Sequence, residues 1–180
     1  METFVEPRPF VRDPGYAEQR QASLEALDME TIDRPIVDIV KNLQALSFCF
    51  TLQSCYGHFV HTAQRDRNNT ERLPDSGDVG SVTYRIAYIA LCVENSAEGK
   101  DLFRQLAGMP ALNPEYIQFG SAEWFWARHV NSYALQVEPR RYMSKDQICI
   151  GYPEALCIQE ARDAFFAELR KITQVQSERA

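Results

Sequence analysis

The sequence predicts an α+β fold: a single compact domain in which helices pack on a mixed β-sheet of about five strands. Three observations predict it. Segments with helical spacing and segments with strand character are interspersed without strict alternation, which favours a layered α+β arrangement over a doubly wound one. The chain has 180 residues, enough for one domain around one core. No internal repeat, low-complexity tract or interdomain linker divides it.

Composition narrows the functional classes. The formal charge of -6 argues against broad, nonspecific nucleic-acid affinity, which needs a basic surface, but leaves room for a local basic patch. Nothing approaches the roughly 18 uninterrupted apolar residues of a membrane span. The opening METFVEPRPFVRDPGY lacks the basic-then-apolar order of a secretory signal. A cytoplasmic protein without membrane partners is expected. The five cysteines form no CxxC pair, so a disulfide framework is not expected. Cys49, Cys92, Cys149 and Cys157 lie in apolar runs and read as small buried hydrophobes. Cys55 stands apart, flanked by Ser54, Tyr56 and Gly57.

Residues 1–15, with Pro7, Pro9, Pro14 and Gly15, read as an extended N-terminal arm. Tyr16 to Leu27 is rich in helix formers. Ile36, Val37, Ile39, Val40, Leu43 and Leu46 then form an apolar face at helical spacing, with Asp33 as the expected cap and Pro35 in the first turn. Phe48-Cys49-Phe50 is strand-like. Gln53 to His58 reads as a tight polar turn, and Phe59-Val60 as the return strand. Residues 64–80 form a polar stretch expected to be a long mobile loop. Val82 to Val93 is the longest strand candidate, apolar on both faces from Ile86 onward and therefore central. Ser96 caps a helix to about Ala107, stopped by Gly108 and Pro110. Tyr116 to Phe119 is a short strand, and Ala122 to Val130 an amphipathic strand or turn in which Trp124, Trp126 and Arg128 would share a strand face. Asn131 to Glu138 alternates as a half-buried strand. Pro139-Arg140-Arg141 is a turn, and Gly151-Tyr152-Pro153 opens a last helix to about Thr173.

The reactive segment is Phe48 to His61, FCFTLQSCYGHFVH. A base or cation near Cys55 makes it a nucleophile, and His58 lies three residues on. Cys55, His58 and His61 also read as a C-x-x-H-x-x-H run. A return strand starting at His58 would send the two histidines to opposite faces, so no metal is assigned. Trp124 and Trp126, beside Arg128 and His129, suit either base stacking or core packing. Arg140, Arg141 and Lys145, with Arg65, Arg67 and Arg72, read as a phosphate-binding surface or as a solvated loop. No G-x-G-x-x-G, P-loop or G-x-S-x-G is present, which leaves a Rossmann-type enzyme unsupported.

The order of features resembles the tRNA wybutosine-synthesising protein 3 family. The likeness rests on Asp33 with its apolar helix to Leu46, and on Thr51-Leu52-Gln53-Ser54-Cys55-Tyr56-Gly57-His58, where the family carries Thr-x-Ser-Cys-x-Gly-Arg. The strand Ala87 to Glu94, the helix after Ser96 and the strand Glu115 to Phe119 are similar in order and spacing, and the likeness covers roughly residues 16–138. His58 replaces the signature arginine and Gln53 the first serine. The resemblance implies a compact α+β fold, and methylation of a modified tRNA guanosine that depends on S-adenosylmethionine. The loss of the arginine points to a divergent relative with another nucleotide-like substrate, because a neutral His cannot hold a carboxylate or phosphate bidentately. On this reading Cys55 and His58 are the catalytic candidates. Ser54, Gly57, Trp124 and Trp126 hold the cofactor, and Arg128, Arg140 and Arg141 meet the substrate. Two alternatives are a non-enzymatic module that binds a small ligand or a protein, and a cysteine-dependent hydrolase.

Overall fold

In the computed structural model the structure describes residues 4–75, 79–142 and 146–178, with the backbone alone for Phe4 and Val5. The chain order is β1 (Phe4–Val5), α1 (Tyr16–Ala26), α2 (Val37–Ala45), β2 (Cys49–Cys55) and β3 (His58–Val60). There follow β4 (Ser81–Arg85), β5 (Ala87–Val93), α3 (Ala97–Gly108), β6 (Ile117–Ala122), the single turn α4 (Glu123–Trp126), β7 (Ser132–Val137), β8 (Gln147–Gly151) and α5 (Tyr152–Ser177). The α+β class is the one expected. Among the described residues, no helix is long and apolar enough to cross a membrane.

The strands form a five-stranded sheet, β1-β6-β7-β5-β2, and a three-stranded sheet, β3-β4-β8. The described pairings are antiparallel, not mixed. The helix α3 carries the chain from β5 to the parallel β6, but β7 inserts between them and makes both of its neighbours antiparallel.

One ribbon joins the two sheets. β2 pairs with β5 and β3 with β4, in a register that continues from Cys55↔Tyr88 to His58↔Arg85. The segment 53–58 is therefore no hairpin turn. Gln53, Ser54 and Cys55 belong to β2, and β3 runs on beyond a kink at Tyr56-Gly57 instead of returning beside it. The expected long strand Val82 to Val93 is likewise broken at Ile86, whose N–H leaves the ribbon to donate to the Asp146 carbonyl. β8 was not anticipated: QICIG is short and carries only two apolar positions on its buried face, Ile148 and Ile150.

The main core lies between one face of the larger sheet and α2, α3 and α5. Ile89, Leu91 and Val93 of β5 and Leu135 and Val137 of β7 meet Ile39, Leu43, Leu102, Leu106, Phe165 and Leu169 there. The other face of β5 and β7 carries Ala90 and Ala134 against Phe125, and Cys92 against Phe50 and Tyr16. β7 is thus buried on both faces, where its alternating pattern predicts one. Ser132 and Gln136 on that second face are buried all the same, so polar character there does not mean solvent.

The arm is tied down. Asn131 sits at φ 60, a conformation its short amide tolerates, and its side chain bonds both the N–H and the carbonyl of Val11. The Tyr133 hydroxyl donates to the Arg8 carbonyl. The described residues of 64–80 contain no helix or strand, yet Asn69 and Leu73 are buried and bonded to the body of the domain. Lys145 lies outside the described residues.

Candidate functional site

The kink at Tyr56-Gly57 organises the site. Gly57 has φ +89, and a Cβ there would stand 2.7 Å from the Ala87 Cβ. Its glycine character serves the close passage of the two strands. From α5, the fully buried Arg162 donates to the Gly57 carbonyl at 2.9 Å. Its guanidinium lies 4.1 Å from the Tyr56 ring centroid and 5.0 Å from that of Phe59, and pairs with Asp163. The sequence held a signal for this residue: Arg162 follows Ile158 by four positions, on the inward face of α5.

Asp33 is not the cap expected of it. Its carboxylate makes no bond to its own helix and accepts the Tyr56 N–H at 2.7 Å. The same oxygen lies 3.3 Å from His58 Nε2. His58 Nδ1 lies 2.7 Å from the Asn69 carbonyl. With oxygen at both nitrogens, both donate and the ring is an imidazolium. Burial opposes that charge, but Asp33, Cys55 and the Asn69 carbonyl outweigh it and push the His58 pKa up to about 10. Burial likewise works against the Asp33 anion, and His58 and the Tyr56 N–H overcome it, holding the carboxyl below its ordinary range.

The Cys55 thiol completes a cluster whose three ligand atoms lie within 4.8 Å of one another. Cys55 is buried, and Cys149 and Cys157 are exposed where the sequence reads them as small buried hydrophobes. Cys55 closes the kink between two paired strands. Cys149 sits on the open face of β8, and Cys157 faces outward from α5. A hydrolase relay needs a histidine lone pair facing the thiol, with the carboxylate on the opposite nitrogen. Here a backbone carbonyl holds Nδ1 and the carboxylate holds Nε2, so His58 has no lone pair with which to take the thiol proton.

Along the same ribbon lies an open cleft of about 1170 Å³, whose lining does not include Asp33, Cys55 or His58. Its wall continues from the cluster along the ribbon: Tyr88 is opposite Cys55, Arg85 is opposite His58, and Gln53 precedes Cys55 on β2. Tyr88 donates its hydroxyl to Gln53 at 3.2 Å. Trp124 and Phe125 of α4 form the opposite wall, and Gln136 lies between. Arg67, Asp146 and Gln147 close one end.

Of the residues singled out in the sequence, Trp124 and Arg67 line the cleft. Ser54 lies on β2 beside Cys55, half-buried and on the ribbon's other side. Helical geometry separates the tryptophans that a strand would have aligned. Trp124 is 41% exposed at the cleft, while Trp126 packs edge-on to Tyr133, with Arg8 over its ring. Arg128 stacks on Trp124, 3.7 Å from the ring centroid, and donates to its carbonyl. Arg140 and Arg141 are exposed in the turn after β7, where Arg141 is engaged by Glu154 and Tyr142. His61 does not join the cluster; Asp33 takes the place the sequence offered it. Arg85 escaped notice in the sequence, although it is the one charge in VTYRIAYIALCV.

No family model matches the chain, and no curated protein matches it. Among solved structures it is similar to the structure of PH1069 protein from Pyrococcus horikoshii, at 11% identity over 91% of each chain and with a TM-score of 0.44. A likeness at that level carries no inference about function.

Proposed function

We propose that the cleft takes a nucleoside-bearing ligand, S-adenosylmethionine in the first instance, and that the chain is a methyltransferase acting on a modified tRNA guanosine or a related nucleotide-like substrate. One observation carries this reading: the cleft runs along the strand pair that bears Ser54-Cys55-Tyr56-Gly57, the stretch behind the resemblance to the tRNA wybutosine-synthesising protein 3 family.

The donor set at the cleft fits such a ligand. Trp124 is 41% exposed at the cleft with Arg128 on one face of its ring, and the other face is the one a base would stack on, a contact that contributes roughly 1–3 kcal/mol. Asp146 accepts from ribose hydroxyls, and Gln53, Gln136 and Gln147 offer amides to a base edge. Arg67 and Arg85 give an otherwise acidic chain a local cationic pair for a carboxylate or a phosphate. S-adenosylmethionine, when bound, supplies an electrophilic methyl group. The residues of the cleft hold and orient, and the buried Asp33–His58 pair stiffens the wall behind them.

Calorimetric titration with S-adenosylmethionine and S-adenosylhomocysteine tests this. Binding of either is expected, weakened about tenfold (~1.4 kcal/mol) by Trp124→Ala. No heat with either ligand, at protein concentrations well above micromolar, sinks the proposal.

The state of His58 favours a second reading, a module that binds such a ligand without transferring a methyl group. With both ring nitrogens donating, His58 is not a general base. Incubation with a radiolabelled methyl donor and bulk tRNA separates the two: label in the RNA supports the transferase, and binding without label supports the module.

A further inference from the structure

We propose that Asp33, Cys55 and His58 form a binding site for a single zinc-class divalent cation, with three protein ligands and one open position. The three groups are a carboxylate, a thiol and an imidazole, a donor set that zinc takes readily. They come from the segment before α2, the end of β2 and the start of β3, and they converge to within 4.8 Å.

Ligand geometry explains the arrangement better than a proton relay does. The Asn69 carbonyl engages His58 Nδ1 at 2.7 Å, which turns Nε2 toward Asp33; metal-bound histidines are oriented by this kind of contact on the far nitrogen. Asn69 is itself fixed, its side-chain amide donating to the carbonyls of Phe59 and Asp66. Asp33 is held by the Tyr56 N–H.

Zinc bonds of roughly 2.0–2.3 Å set tetrahedral ligand atoms about 3.3–3.7 Å apart. The Asp33 to His58 separation is already 3.3 Å, and the thiol needs to close by about 1.3 Å at most. The ion takes thiolate, neutral imidazole and carboxylate, so binding is coupled to proton release to solvent. Cys55 and His58 are each 2% exposed, whereas the Asp33 side chain is 20% exposed, so the open position lies on the Asp33 side.

Cobalt titration of the full chain tests the site, because a cobalt–thiolate bond gives a charge-transfer band in the near ultraviolet. The exposed Cys149 and Cys157 are controlled by the Cys149→Ala/Cys157→Ala double variant. The band is expected to saturate at one cobalt per chain, to persist in the double variant, to vanish in Cys55→Ala and to be displaced by zinc. No band in the wild type, or a band lost in the double variant, overturns the proposal. If Cys55→Ala fails to fold, zinc-edge X-ray absorption on the double variant decides: a shell containing one sulfur upholds the site, and a shell of nitrogen and oxygen alone overturns it.

Discussion

At the residue scale, the pair His58 and Asp33 decides how the kink responds to pH and to substitution. In the metal-free protein the His58 pKa stands at about 10 against an ordinary 6.5. A raised pKa means that the ion pair stabilises fully below pH 6.5 and loses that contribution as the pH climbs toward 10. Asp33, lowered, behaves in the opposite sense: its contribution is present above its ordinary range and is lost as the pH falls through its folded value. Urea denaturation in the presence of chelator is therefore expected to show wild-type stability declining relative to His58→Gln between pH 6.5 and 10. Parallel curves would refute the pairing. At pH 7, Asp33→Asn leaves a buried cation without its partner and is expected to cost about 3 kcal/mol by the same assay. Asp33 was misread from sequence for a physical reason. Capping is a local competition for nearby amides, and here an amide 23 residues away, that of Tyr56, wins it.

At the element scale, the kink that lets the β2–β3 strand pass from one sheet to the other depends on Gly57. Gly57→Ala is expected to destabilise by at least about 2 kcal/mol, because a side chain at positive φ and overpacking against a neighbour each cost roughly 1–3 kcal/mol. Adding Ala87→Gly removes the contact at 2.7 Å but not the strained φ, so the double variant should recover part of the loss. Full recovery, or none, in thermal melts would contradict the account of the kink. α2, α3 and α5 were legible because a face of leucines, isoleucines and phenylalanines at helical spacing has few other readings, and α1 was legible through its helix formers alone. The strand pairings were less legible. Gln53 to His58 has the composition of a turn, and only tertiary pairing with β5 and β4 holds it extended. Trp124 to Arg128 was read with a strand's period, but α4 has a helix's, and that separates the two tryptophans.

At the scale of the whole molecule, two antiparallel sheets share one ribbon, and the cleft and the Asp33–Cys55–His58 cluster stand at the bend of that ribbon. The sequence located this region through its unusual residues. It did not reveal which partners would face them, because Arg85, Gln136, Asp146 and Asn69 come from segments brought together only by the sheet order. The most direct test of the central claim uses the chain's two tryptophans as reporters. Indole N–H resonances are followed by NMR while S-adenosylhomocysteine is added. Trp124, exposed at the cleft, is expected to shift with saturation, while Trp126, packed on Tyr133 beneath Arg8, stays in place. A titration to millimolar ligand in which the Trp124 resonance does not move would contradict the assignment of the cleft.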